Sequence, residues 1–138
     1  NRQLPWWAVC QSVDATETAG AASPAAVDDL LTTVHSDVME WEPGTTFDLV
    51  VAAYLHMPSS DMRVLWRRLA DATAPGGTLV VVGHDSDNAG GGPKDPDVLF
   101  HAEDVTAELP DGWEVTVAEA VDRGEGSIDA LMVARKSR

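Results

Sequence analysis

Two apolar runs define the middle of the chain. Residues 47–55 (FDLVVAAYL) and 78–82 (TLVVV) are almost continuously apolar. Runs of this kind predict strands that are buried on both faces, as in a parallel sheet. Between them, apolar residues recur at three- and four-residue spacing over residues 62–69, which predicts an amphipathic helix. A strand, a helix and a second strand in this order form a βαβ unit with a right-handed crossover.

The end of the chain alternates between apolar and polar residues. Two alternating runs, residues 113–118 and 127–134, are joined through the glycine-containing stretch 122–126. Because this connection has no room for a helix, the two runs predict an antiparallel hairpin. A short helix is predicted over residues 102–109, and the glycine-rich stretch 85–96 is predicted to be a long flexible loop. The predicted sheet is therefore mixed.

The first part of the chain is less regular. Residues 6–13 predict a strand that ends at Asp14, and residues 32–35 predict another that ends at Ser36 and Asp37. Any helix between them is expected to be confined to residues 24–31, since Pro24 suits a first helical turn. Strands that alternate with helices favour an α/β fold.

Composition narrows the class of protein. The chain has 138 residues, a length that suits one domain, and a formal charge of −14. A field of that sign repels phosphate groups, so nucleic acid and anionic membranes are not expected partners. A single Cys excludes an internal disulfide, and no apolar run reaches the roughly 20 residues of a membrane span. We therefore expect a cytoplasmic protein.

Five phrases in the chain form a recognisable series. They are residues 13–19 (VDATETA), 35–41 (HSDVMEW), 47–51 (FDLVV), 74–79 (APGGTL) and the closing hairpin. In this order the phrases resemble the class I S-adenosylmethionine-dependent methyltransferases, in particular their small-molecule, tellurite-resistance-like branch. The resemblance implies a Rossmann-like three-layer sandwich whose mostly parallel sheet ends in an antiparallel hairpin. It also implies S-adenosylmethionine as cofactor and a small molecule as methyl acceptor.

One motif of that family is absent from the sequence. Family members bind the cofactor with a glycine-rich loop after their first strand, and no G-x-G follows an early strand here. The first βα unit is therefore expected to be missing or degenerate, and residues 1–138 to form a single, incomplete methyltransferase-like domain that opens at Asn1 rather than Met. Residues 6–13 could occupy the vacant central position of the sheet, or another chain could supply the strand. A third reading is an incomplete or frameshifted copy.

These alternatives leave enzymatic activity open. In one reading the domain still methylates a small molecule. In the other it is a non-catalytic remnant that acts as an oligomerisation or partner-binding module. Its open sheet would then bind a second copy, as a homodimer, or a complementing chain.

The resemblance also implies cofactor-binding residues. Asp14, after residues 6–13, matches the family's ribose-binding acid. Asp37 matches the acid that accepts a hydrogen bond from the adenine amino group, and Val38 matches the residue that donates its backbone N–H. Both Asp14 and Asp37 could instead cap local turns.

Three residues are candidates for the acceptor side. Tyr54 and His56 follow the run at residues 47–55, at the point where the family binds its acceptor, and His84 follows the next strand. An imidazole there could remove a proton or shape the pocket, and a purely structural histidine is the alternative.

No metal site is expected from the sequence. The candidate ligands lack the close spacing of a metal-binding motif. These candidates are His35, Asp37, His84, Asp85 and Asp87.

Overall fold

Residues 6–10 and 31–138 are described in the structure, which is a computed structural model. The chain divides into an N-terminal unit, residues 1–42, and a C-terminal unit, residues 43–138. The residues predicted to form the first helix lie outside the described part, apart from Leu31, which begins a strand. Within the described part, no helix has the length and apolar character needed to cross a membrane.

The N-terminal unit contains a parallel pair of strands. Strand β1 spans Trp6–Cys10 and strand β2 spans Leu31–His35. Their register places Trp6 opposite Leu31 and Cys10 opposite His35. Both predicted strands are confirmed, although residues 11–13, the predicted end of the first, are not described.

The C-terminal unit is built on a four-stranded mixed sheet. Its elements are β3 (Phe47–Ala53), α1 (Ser59–Ala72), β4 (Thr73–His84), α2 (Ala102–Thr106), β5 (Trp113–Asp122) and β6 (Ile128–Lys136). The strand order is β3-β4-β6-β5. Strands β3 and β4 are parallel, and β6 runs antiparallel to both β4 and β5. The predicted βαβ unit and closing hairpin are confirmed, and the fold is the Rossmann-like α/β class.

Helix α1 ends earlier than its sequence predicts. The Pro-Gly-Gly at residues 75–77 predicts a helix stop at that point, but the helix ends at Ala72 and β4 begins at Thr73. The last turn has no basic residue of its own. Instead, the Lys136 ammonium of β6 donates to the carbonyl oxygens of Ala70 and Thr73 at 3.1 and 3.0 Å. A cation at the carbonyl end of a helix stabilises that end, and here the cation comes from a distant strand.

The core lies between one face of the sheet and the two helices. The amphipathic pattern of α1 buries its apolar side chains, and alternate residues of β4 and β6 are buried in turn. The buried apolar side chains include Met62, Leu65, Trp66, Leu79, Val81, Phe100, Val105 and Met132. On β3, by contrast, Leu49 and Val51 are 50% and 56% exposed.

Glu108, just after α2, connects the two helices electrostatically. Its carboxylate oxygens lie 2.8 Å from Arg63 and 2.6 Å from Arg67, both on α1. Hydrogen bonds from these two guanidinium groups hold the pKa of Glu108 below its ordinary value. Helix α2 itself is shorter than predicted and ends at Thr106 rather than residue 109.

The glycine-rich loop is held by hydrogen bonds, in contrast to its predicted flexibility. The Asn88 side chain accepts a hydrogen bond from the Ile128 N–H at 2.8 Å and donates one to the Gly91 carbonyl at 2.9 Å. The N–H groups of Ala89 and Gly90 both donate to the Gly126 carbonyl. The loop is therefore fixed against the β5–β6 connection.

Candidate functional site

The carboxyl ends of β3 and β4 bring the three predicted acceptor-side residues together. Parallel strands end at the same edge of a sheet, where doubly wound folds bind ligands. Tyr54 follows β3 directly, and its N–H donates to the Val82 carbonyl at 2.8 Å. The His84 ring at the end of β4 lies 5.2 Å from the rings of both Tyr54 and His56, measured between centroids.

His56 uses both of its ring nitrogens in hydrogen bonds. Nε2 accepts the backbone N–H of His84 at 3.0 Å, and Nδ1 lies 2.7 Å from the Val98 carbonyl oxygen. A nitrogen that accepts a backbone N–H has no proton, so these partners assign the hydrogen to Nδ1. The ring also stacks on Phe100 at 5.6 Å. His56 therefore holds the end of β4 in place and would have to break a hydrogen bond to accept a proton.

The His84 side chain is a neutral imidazole with a closely packed neighbour. Burial, followed by the neighbouring His56, lowers its pKa. Its Nδ1 is buried and has no hydrogen-bond partner among the described residues. On the other side of the ring, the backbone of Gly92 approaches so closely that a Cβ there would lie 2.5 Å from Nε2. Gly92 also has φ of +102°, so only glycine suits this position.

Tyr54 has a strained backbone and a firmly held hydroxyl. Its φ is +55°, a left-handed backbone conformation that residues other than Gly, Asn and Asp seldom adopt. The hydroxyl donates to Asp129 Oδ2 at 2.7 Å, and this hydrogen bond raises the pKa of the phenol. The Arg123 guanidinium lies 2.9 Å from the same carboxylate oxygen. The carboxyl edge therefore carries a Tyr54–Asp129–Arg123 network.

Asp129 and Arg123 are site residues that the sequence analysis missed. Asp129 lies in β6 directly opposite His84 and is only 5% exposed. The available signal was a carboxylate within the predicted strand 127–134, whose residues 130–134 are all apolar, because buried charges are paired or functional. Arg123 carried no such signal, since it lies in a connecting loop.

The predicted adenine-binding residues lie in the N-terminal unit. Asp37 follows β2, as expected, and begins a turn in which its backbone carbonyl accepts the N–H groups of Glu40 and Trp41. Its Oδ1 accepts the Met39 N–H at 2.9 Å, which leaves Oδ2 as an acceptor for another donor. Val38 is buried. Asp14, the predicted ribose ligand, lies outside the described residues.

One group of side chains within the described residues has the composition of a metal site. Ligand atoms of Asp85, Asp87 and His101 all lie within 4.8 Å of one another. Asp85 is 1% exposed, and His101 Nδ1 lies 3.2 Å from it. Desolvation acts to lower the pKa of His101, but the hydrogen bond that its ring donates to Asp85 and the charges of the surrounding carboxylates outweigh desolvation and raise that pKa. In the imidazolium form of His101, Nδ1 carries a hydrogen and forms an ion pair with the Asp85 carboxylate.

Comparison with known proteins identifies the fold. No family model and no curated protein sequence matches the chain. Among solved structures, N-methyltransferase NodS from Bradyrhizobium japonicum WM9 is 17% identical over 97% of this chain and 74% of its own, with a TM-score of 0.75. The cyclase SpnF is 17% identical over 97% of this chain and 66% of its own, with a TM-score of 0.73.

A third similar structure was determined with a ligand. The glycopeptide N-methyltransferase MtfA, in complex with S-adenosylmethionine, is 19% identical over 93% of this chain and 70% of its own, with a TM-score of 0.66. The chain therefore has the class I S-adenosylmethionine-dependent methyltransferase fold and spans about two thirds to three quarters of the length of these three proteins. Because one of them is named as a cyclase, the fold alone does not assign the reaction.

Proposed function

We propose that residues 1–138 form a single, incomplete methyltransferase-type domain that uses S-adenosylmethionine to methylate a small molecule in the cytoplasm. The observation that carries the proposal is the fold shared with the N-methyltransferases NodS and MtfA over 97% and 93% of this chain. The polar side chains of Tyr54 and His84 at the carboxyl edge support it, because that edge is where such folds bind ligands. The resemblance of the sequence phrases to the tellurite-resistance-like branch is the sole basis on which we propose that branch.

Cofactor binding is assigned to the N-terminal residues. Asp14 would bind the ribose hydroxyls, and Asp37 and the Val38 N–H would bind the adenine. The turn at Asp37 fits this role. The Met39 N–H donates to Oδ1 of the exposed Asp37 carboxylate, and Oδ2 is left to accept a hydrogen bond from an amino group. When bound, S-adenosylmethionine supplies an activated methyl group.

The acceptor side is assigned to Tyr54, His56 and His84. Methyl transfer to a nucleophilic atom depends mainly on the positions of the two reactants. His56 fixes the backbone of His84 through its Nε2, and Asp129 fixes the Tyr54 hydroxyl. The neutral His84 imidazole and the protonated Tyr54 hydroxyl would then form one polar side of the acceptor site. A base role for His56 would require Nε2 to release the backbone N–H of His84.

Calorimetric titration with S-adenosylhomocysteine tests the proposal. We expect saturable binding with a Kd of roughly 1–100 μM. Asp37→Ala should weaken the binding about tenfold, because one charge-assisted hydrogen bond is lost. Asp111→Ala, which removes an exposed carboxylate from a turn in the C-terminal unit, serves as the control and should bind as the wild type does. An absence of heat at millimolar ligand would reject cofactor binding by this chain.

The exposed β3 strand favours a second candidate function, that of a non-catalytic partner-binding or oligomerisation module. Parallel strands are normally covered on both faces, yet Leu49 and Val51 are half exposed. Strand β3 is also an edge strand of its four-stranded sheet. A homodimer or a complementing chain would cover these side chains.

Sedimentation velocity at several concentrations tests this second function. If copies associate through β3, the sedimentation coefficient should rise with concentration, and Val51→Lys should abolish the rise because a charge would be buried in the contact. Val64→Lys, at an exposed position on α1, is the matched control. A monomer at every concentration contradicts the homodimer.

A further inference from the structure

Two residues that face each other across strands β4 and β6 carry buried polar atoms without a partner. The atoms are His84 Nδ1 and Asp129 Oδ1, and neither has a hydrogen bond to any of the described residues. The two residues are directly paired in the antiparallel register. A buried polar atom without a hydrogen-bond partner is energetically costly, so two such atoms at the ligand-binding edge of the sheet require a physical reason.

The Asp129 carboxylate is fixed although one of its oxygens is unused. Oδ2 accepts a hydrogen bond from the Tyr54 hydroxyl at 2.7 Å, and Arg123 Nε lies 2.9 Å from the same oxygen as an ion-pair partner. The hydrogen bond and the ion pair hold the carboxylate, and Oδ1 is left as a preoriented acceptor. The side chains of Tyr54 and Arg123 are themselves 45% and 48% exposed, so the groups in contact with the carboxylate border the solvent.

The charges around the carboxylate define the donor it can accept. Arg123 neutralises Asp129, and the Lys94 ammonium adds a positive contribution near His84. A full positive charge on the ligand is therefore not required, and a neutral hydroxyl or an amino group is sufficient. A neutral imidazole nitrogen can donate or accept according to its tautomer, so His84 Nδ1 can pair with either group.

We propose that Asp129 determines the specificity of the acceptor site: its Oδ1 accepts a hydrogen bond from a hydroxyl or amino group of the bound molecule, and His84 Nδ1 provides the second polar contact. The role of the bound molecule as a methyl acceptor rests on the proposed function. The binding of that molecule to Asp129 and His84 does not depend on the proposed function. Methylation would form an O–CH₃ or N–CH₃ bond while the S–CH₃ bond of S-adenosylmethionine breaks to leave S-adenosylhomocysteine, and the donated hydrogen would leave as a proton to solvent. The site would therefore prefer the unmethylated molecule to a product that has no hydrogen left to donate.

The single tyrosine of the chain provides a direct measure of binding. Because Tyr54 is the only Tyr and donates to Asp129, one ring signal in a protein labelled with ¹³C-tyrosine reports on this network.

Two pairs of small molecules serve as probes. Benzyl alcohol is compared with benzyl methyl ether, and benzylamine with N,N,N-trimethylbenzylammonium; the methylated member of each pair cannot donate a hydrogen bond. We expect a saturable shift of the Tyr54 signal by the donor of at least one pair, and at least about tenfold weaker binding of its methylated partner. The alcohol and amine arms distinguish a neutral from a cationic ligand.

Asp129→Asn tests the residue itself. The Tyr54 hydroxyl donates to Oδ2 and the cationic Arg123 lies beside the same oxygen. Both favour the amide oxygen at the Oδ2 position, which places the NH₂ group where Oδ1 was. The donor group of the probe would then face the NH₂ group, which is also a donor, and probe binding should weaken at least about tenfold. Asp111→Asn should leave probe binding unchanged.

Two results would overturn the proposal. The first is equal binding of donors and methylated partners, or no binding of either; this comparison uses the unmodified protein and stands even if Asp129→Asn fails to fold. The second is unchanged binding by a folded Asp129→Asn. All titrations omit cofactor. Loss of S-adenosylhomocysteine binding would thus reject the proposed function alone, and loss of the probe difference would reject the Asp129 site alone.

Discussion

Replacement of Phe100 by alanine is expected to lower the free energy of unfolding by about 3–5 kcal/mol. The ring is 3% exposed and packs between two others, with centroid distances of 5.2 Å to Trp66 and 5.6 Å to His56. Its removal would leave a cavity between helix α1 and the carboxyl edge of the sheet. Since His56 would lose its stacking partner, its ring signals should broaden or shift as well.

Urea denaturation followed by circular dichroism measures this loss, and histidine NMR spectra record the second effect. Phe100→Leu is the matched variant, because it keeps much of the apolar volume and should cost less. A loss below about 1 kcal/mol for Phe100→Ala would show that the surrounding side chains collapse into the space, and that Phe100 does not support the site.

Gly92→Ala is expected to cost about 2–4 kcal/mol and to displace the His84 ring. Two effects combine: an alanine at φ of +102° is strained, and its Cβ would lie 2.5 Å from His84 Nε2. The ring or the loop must move, and either movement changes the environment of the imidazole. The change in stability is read from denaturation and the displacement from the His84 NMR signals.

Gly91→Ala is a control one residue away. A Cβ at Gly91 would meet nothing within 4 Å, and its backbone conformation has no positive φ. This variant should therefore be as stable as the wild type and leave His84 unchanged. Equal behaviour of the two variants would mean that the loop does not hold His84.

The sequence predicted the βαβ unit and the hairpin because each depends on local patterns. Continuous apolar runs, helical periodicity and a glycine-rich connection are all properties of short segments. The helix boundary at Ala72 did not follow from such a pattern, because Lys136 completes the helix end from the last strand. A contact between residues so far apart in the chain cannot be inferred from the local composition.

The same distinction applies to the candidate site. Parallel strands end at one edge, so strand positions alone were enough to expect Tyr54 and His84 together. The roles of these residues depended on neighbours from other segments. The carbonyl of Val98 occupies Nδ1 of His56, and Asp129 receives the Tyr54 hydroxyl.

The order of apolar and polar residues by itself determined the class of fold and the edge of the sheet at which polar side chains gather. Periodicity encodes which face of an element is buried, and burial drives folding. Only the tertiary structure decided that His56 is a fixed scaffold, that Gly92 limits the space beside His84, and that Asp129 has one oxygen without a donor. These properties depend on distances of a few ångströms between segments far apart in sequence, and such distances exist only once the chain has packed.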